Sequence, residues 1–200
     1  MTTLLKIFLP IYFLLFFGLA MFWRSYIAWK RTGINPYKLG KGDTVHDFVG
    51  KLFRLTLIAT ALIVFVFSFM DQYYEWLSPI AWINSSVLMI LGIALLVLAL
   101  IWVLVAQLQM GDSWRIGIDE KSESVLVQHG LFGVSRNPIF LGMLVMLVGL
   151  LLLLPTAITL TVTVLGVVLI HAQVRLEEAF LTEKYGEDYR KHQMSVRRWF

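Results

Sequence analysis

The chain contains no cysteine. Disulfides, thiolate metal sites and cysteine nucleophiles are therefore excluded. Charge is scarce: Asp, Glu, Lys and Arg make up 15% of the residues, against about 25% in a soluble domain. Histidine is scarce too. His46, His129, His171 and His192 form no close pair of the HExxH kind, so no metal is expected. No internal repeat or low-complexity linker divides the 200 residues, which read as a single membrane domain. What fills the chain is apolar: 58% hydrophobic residues and a mean hydropathy of +0.76. This composition predicts an all-α integral membrane protein. The net charge of +4 is modest. Lys and Arg are expected to orient the chain in a bilayer, with no nucleic acid as partner.

Five apolar runs predict about five transmembrane helices: residues 4–23, 52–70, 87–105, 139–154 and 156–172. The first is too long for a signal-peptide core, and Arg24 and Trp29-Lys30-Arg31 follow it where a cleavage site would stand. Pro155 separates the last two, which read as a tight hairpin, each short for an independent span. The loop after the first run carries Arg24, Lys30, Arg31, Lys38, Lys41 and Lys51 against Asp43 and Asp47. Loop 71–81 has Asp71 and Glu75 and no Lys or Arg. Arg175, Lys184, Arg190, Lys191, Arg197 and Arg198 follow the last run. The positive-inside rule then predicts an inner or plasma membrane protein with its N-terminus outside. Loop 106–138 and everything after 172 face the cytoplasm. Trp23, Trp29, Tyr73, Tyr74, Trp76, Trp82, Trp114 and Trp199 lie near the span ends, as an interfacial aromatic belt would.

Chemistry concentrates in two polar segments beside the hairpin. In the first, Gln128-His129-Gly130-Leu131-Phe132 leads into Ser135-Arg136-Asn137-Pro138-Ile139-Phe140. Asn137 suits a helix N-cap and Pro138 the first turn after it. Such a helix start favours an anion, and Gly130 and Gly133 allow close backbone approach. Arg136 either snorkels to lipid phosphate or clamps a carboxylate. In the second segment, Glu177 and Glu178 follow the last apolar run. Neighbours on a helix point about 100° apart, so at most one faces a pocket squarely. The other is left for an ion pair or solvent. Further on, Tyr185-Gly186-Glu187 marks a helix stop and restart, with an amphipathic helix to follow. Gly111-Asp112-Ser113 marks a turn after the third run, and Trp114 either anchors at the interface or covers a ligand.

Met110-Gly111-Asp112-Ser113-Trp114, His129 to Phe140, Glu177-Glu178 and Tyr185-Gly186-Glu187-Asp188-Tyr189 occur in an order that resembles the isoprenylcysteine carboxyl methyltransferase family and related membrane phospholipid methyltransferases. The resemblance spans about residues 108–200. It implies three anchoring spans over residues 1–105 and an S-adenosylmethionine-binding catalytic region over 106–200. It further implies that Gln128, His129, Gly130 and Leu131 bind the cofactor together with Arg136, Asn137, Pro138, Phe140 and Glu178. Arg136, Glu177 and Glu178 would act in methyl transfer to a membrane-partitioned amphiphilic acceptor beside membrane lipid, with prenylcysteine, lipid amines, small thiols and other carboxylates all open. Two departures stand out: Asn137 replaces a frequent His, and Phe140 a frequent Tyr. Asn137 cannot titrate near neutrality as His does. Two other readings compete. A sterol-reductase-like enzyme would bind NADPH through Arg115, Lys121 and Arg136. A non-catalytic membrane binding protein would share the same sequence features. Transport is disfavoured, because the few polar residues of the spans, Lys6, Gln107, His171 and Gln173, lie at or near their ends.

Overall fold

Every apolar run forms helix. The structure is a computed structural model that describes residues 2–36, 44–83, 85–116 and 125–200. Lys38, Lys41, Asp43 and Lys121 lie outside the described residues. The first run builds α1 (Thr2–Leu15), a π-helical segment (Phe16–Trp23) and α2 (Arg24–Thr32), joined end to end. Gly33 stops α2 in the left-handed region, at φ 68°, where glycine carries no Cβ penalty. The second run is α3 (Val45–Phe69), started by a capping box in which Thr44 and Asp47 satisfy each other's backbone N–H. Then come α4 (Ser86–Met110), α5 (Pro138–Leu153), α6 (Ala157–Tyr185) and the short α7 (Glu187–Ser195). Among the described residues, four rods are long and apolar enough to cross a membrane: Thr3–Thr32, Val45–Phe69, Ser86–Met110 and Ala157–Tyr185. The fifth apolar helix, α5, has only 16 residues. Among the described residues no strand forms. The protein is an all-α integral membrane protein.

The expected element ends shift: the first rod runs past residue 23 to Thr32, and α3 begins at Val45, ahead of residue 52. Helix α4 runs past residue 105 to Met110, and α6 runs past residue 172 to Tyr185. The stretches added to α4 and α6 are rich in Gln, Leu and Glu, good helix formers that keep a rod going beyond its apolar part. Glu177 and Glu178 therefore sit on α6 itself. Gly186, at φ 53°, then separates α6 from α7.

Helices α4 and α5 pack most intimately, through glycine. A Cβ on Gly142 would lie 2.5 Å from Val103 Cγ2, and one on Gly149 would lie 3.1 Å from the Gly92 carbonyl oxygen. Small residues bring backbones together where lipid tails offer no hydrophobic drive to do so. Trp102 fastens the same seam by donating from Nε1 to the Pro138 carbonyl at 2.8 Å. At the far end, the Ile80 N–H donates to Pro155 O at 2.7 Å and the Ala157 N–H to Ser78 O at 2.9 Å. The Thr156 hydroxyl caps α6 by accepting from the Thr159 N–H at 3.0 Å. At the near end, buried Arg24 donates from Nη2 to Gln107 O at 2.7 Å and to Gly111 O at 3.3 Å. A helix C-terminus leaves carbonyls unsatisfied and favours a cation. Arg24 meets both needs and ties the first rod to the end of α4.

Candidate active site

The site grows from the start of α5. Asn137 stands at the N-cap position and Pro138 at the first turn, yet the Asn137 side chain makes no cap. Its amide Nδ2 donates instead to Glu178 Oε1 at 2.9 Å. Arg136 reaches the same oxygen from Nε at 3.3 Å and Nη2 at 3.1 Å. The other oxygen, Glu178 Oε2, accepts from Arg198 Nε at 3.1 Å and Nη2 at 2.7 Å. Glu178 is only 5% exposed. A buried carboxylate needs this degree of pairing, since desolvation of a lone charge is prohibitive.

Arg136 is committed on its remaining side as well. Its Nη1 donates to Gln193 O at 3.1 Å and Val196 O at 2.8 Å, and its backbone N–H donates to Arg197 O at 3.0 Å. Ser135 Oγ donates to Arg198 O at 3.1 Å. Arg136, Asn137 and Glu178 thus form a clasp that holds residues 193–198 across the start of α5. Trp199 then packs on His171, with ring centroids 5.3 Å apart.

Two cavities adjoin the clasp. The first, about 100 Å³, is polar in part and is lined by Val125–Val127, Phe132, Arg136, Asn137, Pro138, Tyr185, Tyr189 and His192. The second, about 160 Å³, is apolar and sits among Phe16, Phe17, Phe53, Val103, Met143 and Met146. Met110, Arg115, Ile139, Phe140 and Glu177 line both. Glu177 and Glu178 have therefore parted roles: Glu177 faces the cavities and Glu178 is locked in the clasp.

In the polar cavity, the hydroxyl of buried Tyr189 lies beside the Arg136 guanidinium and finds no acceptor for its own proton among the described residues. Burial, with nearby Glu178 adding to it, pushes that hydroxyl above its ordinary range. Tyr189 thus stays neutral and can donate to a ligand. Burial, and then the Arg136 charge, hold His192 below its ordinary value. A neutral imidazole, a phenol, two aromatic rings (Phe132 and Phe140) and a carboxylate suit a ligand carrying both cationic and polar groups.

The structure brings Arg136, Asn137, Pro138, Phe140 and Glu177 to the polar cavity, with Glu178 directly behind. It does not bring Gln128, His129, Gly130 or Leu131 there. The first three are exposed, and the Leu131 N–H donates to Gln109 Oε1 at 2.8 Å. Gly130, at φ 62°, lets this turn close on α4, where a Cβ would strike the Gln109 side chain at 2.4 Å. Sequence reasoning missed Tyr189, His192 and Arg198. All three lie in a short polar segment whose contacts depend on where α7 folds back.

Fold and site together define an all-α membrane protein with a buried charge clasp between a polar and an apolar cavity. A model of the phospholipid methyltransferase family matches residues 87–188, just over half of the chain, from the start of α4 into α7. The chain belongs to this family. No curated protein matches it.

Proposed function

We propose that the protein transfers a methyl group from S-adenosylmethionine to the head of a membrane-partitioned amphiphile. The polar cavity would take the cofactor and the apolar one the acceptor. The observation that carries this reading is the wall the cavities share, Met110, Arg115, Ile139, Phe140 and Glu177. A group transfer between a water-soluble donor and a lipid needs two such compartments meeting at one point. When bound, S-adenosylmethionine supplies a methyl group made electrophilic by its sulfonium. The chain's own residues align the partners and exclude water.

In this reading Glu177 gives charge complementarity to the cofactor's cationic groups and takes up a proton where the acceptor releases one. Phe140 and Phe132 offer ring faces to the sulfonium or adenine, and Asn137 and Tyr189 offer polar contacts. Arg136 and Glu178 are positioning residues that hold the wall through the clasp. The catalytic region spans 106–200, and the first three spans enclose the acceptor side. The polar cavity is assigned to the cytoplasmic face, because Arg24, Lys30, Arg31, Arg190 and Arg197 all belong to that end of the bundle.

Calorimetric titration of the purified protein in detergent, with S-adenosylmethionine and separately with NADPH, tests the reading. Saturable binding of S-adenosylmethionine alone is expected. Glu177→Gln should then lower turnover by about 10²-fold or more while the protein still binds the cofactor. Binding of NADPH alone would replace the proposal with a reductase.

A further inference from the structure

The apolar cavity carries an unexpected feature. Three buried polar atoms on its lining, Gln107 Oε1, Trp114 Nε1 and Gln173 Oε1, have no hydrogen-bond partner among the described residues. Their side chains belong to residues 2%, 8% and 4% exposed. They come from separate places: Gln107 from α4, Trp114 from the turn after it, Gln173 from α6. Buried polar atoms in folded proteins are nearly always paired, so an orphan marks a place for a ligand or water. Three orphans on one cavity, otherwise walled by aromatic, aliphatic and methionine side chains, mark a polar point at the end of an apolar slot.

We infer that Gln107, Trp114 and Gln173 bind the head group of the acceptor and select one that donates hydrogen bonds, N–H or O–H, over a carboxylate. This rests on the methyl-transfer reading above. The selectivity follows from the balance of partners. The Gln173 amide nitrogen is engaged with His46 Nδ1 at 3.3 Å, which leaves its oxygen to the cavity. Of the three unpartnered atoms, two are amide oxygens that accept and one is an indole N–H that donates, and the Glu177 carboxylate beside them accepts as well. Arg115, the one cation among the described residues lining this cavity, is drawn to Glu177 on the shared wall. A carboxylate head would meet oxygen against oxygen. A head bearing two N–H or O–H groups satisfies both glutamines, and the hydrogen bonds aim its lone pair away from them.

The slot also has a route for the acceptor's chain. Phe17 and Met21 of the π-helical segment and Leu57 of α3 line it and are only half-buried, which leaves it open to the outside between these two elements. A π-helix is wider than an α-helix and recurs at functional sites. Here it sits where a chain would pass from the bilayer.

The test uses the full chain in lipid nanodiscs. Brominated phosphatidylethanolamine, an amine amphiphile, is titrated without cofactor and read by quenching of tryptophan fluorescence. N-palmitoylglycine, a carboxylate amphiphile, serves as competitor. The Gln107→Leu/Gln173→Leu double variant should bind the amine lipid about tenfold more weakly, and its KM in methyl transfer should rise more than its kcat falls. S-adenosylmethionine affinity should be unchanged. The unfolding temperature should change little, since the two leucines remove two unpartnered oxygens from apolar surroundings while giving up the Gln173–His46 hydrogen bond. Unchanged lipid affinity and KM in the double variant would overturn the assignment. So would wild-type preference for N-palmitoylglycine, or transfer to neither amphiphile. Loss of S-adenosylmethionine binding by the wild type would instead sink the methyltransferase reading itself.

Discussion

Glu178 accepts hydrogen bonds from three side chains that lie 42, 41 and 20 residues away along the sequence. Replacing it with Gln keeps its size but leaves two guanidinium groups facing a neutral amide. Breaking a buried pair costs about 3–5 kcal/mol. Glu178→Gln should therefore lower the thermal unfolding temperature in detergent, even with no ligand present. A second prediction concerns His192. Its pKa is held below the ordinary value of 6.5 by burial and by Arg136. The unfolded state then binds more protons in the window below pH 6.5. The stability contributed by neutral His192 is whole above that pH and is lost as pH falls through the lowered folded value. Unfolding temperatures measured from pH 8 to 5 should drop below 6.5 in the wild type and stay flatter in His192→Gln. The sequence pointed to Arg136, Glu177 and Glu178 because charge beside an apolar helix is rarely idle. The 100° offset also foretold that the two glutamates would part. It could not say which would be locked away, because that depends on Arg198.

At the scale of helices, the five apolar runs were legible from hydropathy alone, and the break at Gly186 from its glycine. The continuation of α4 and α6 beyond those runs was not, because a helix leaving an apolar run has no signal to stop until a glycine or proline arrives. The π-helical turn was hidden too: Phe16–Trp23 is apolar in any register, so no periodicity distinguishes it. Glycines hold the α4–α5 seam by close approach, and this can be measured. Gly142→Leu forces a side chain into Val103, where even a Cβ would sit at 2.5 Å. Overpacking costs about 1–3 kcal/mol. The expected outcome is a lower unfolding temperature and weaker cofactor binding, since α5 carries Asn137, Pro138 and Phe140. Leu144→Met, on the same helix but close in volume, should leave both nearly unchanged.

For the whole molecule, orientation is the open expectation, and the lack of cysteine makes it easy to test. Any thiol introduced is the only one in the chain. Lys30→Cys and Glu187→Cys should resist a membrane-impermeant maleimide in intact cells, and Gln72→Cys, exposed at the opposite end, should react. The reverse pattern would invert the topology. The clasp also imposes an order on biosynthesis. Arg136 is made 42 residues before Glu178 and 60 before Val196. At about 5–20 residues per second, that separation amounts to several seconds. During that time Arg136 is a bare cation at the edge of a bilayer, and α5 has no fixed start. The helical bundle can insert as it emerges, but the pocket acquires its walls only after residues 193–198 have folded back. Mutations in that short segment should thus give a protein that reaches the membrane in normal amounts and is empty of function there.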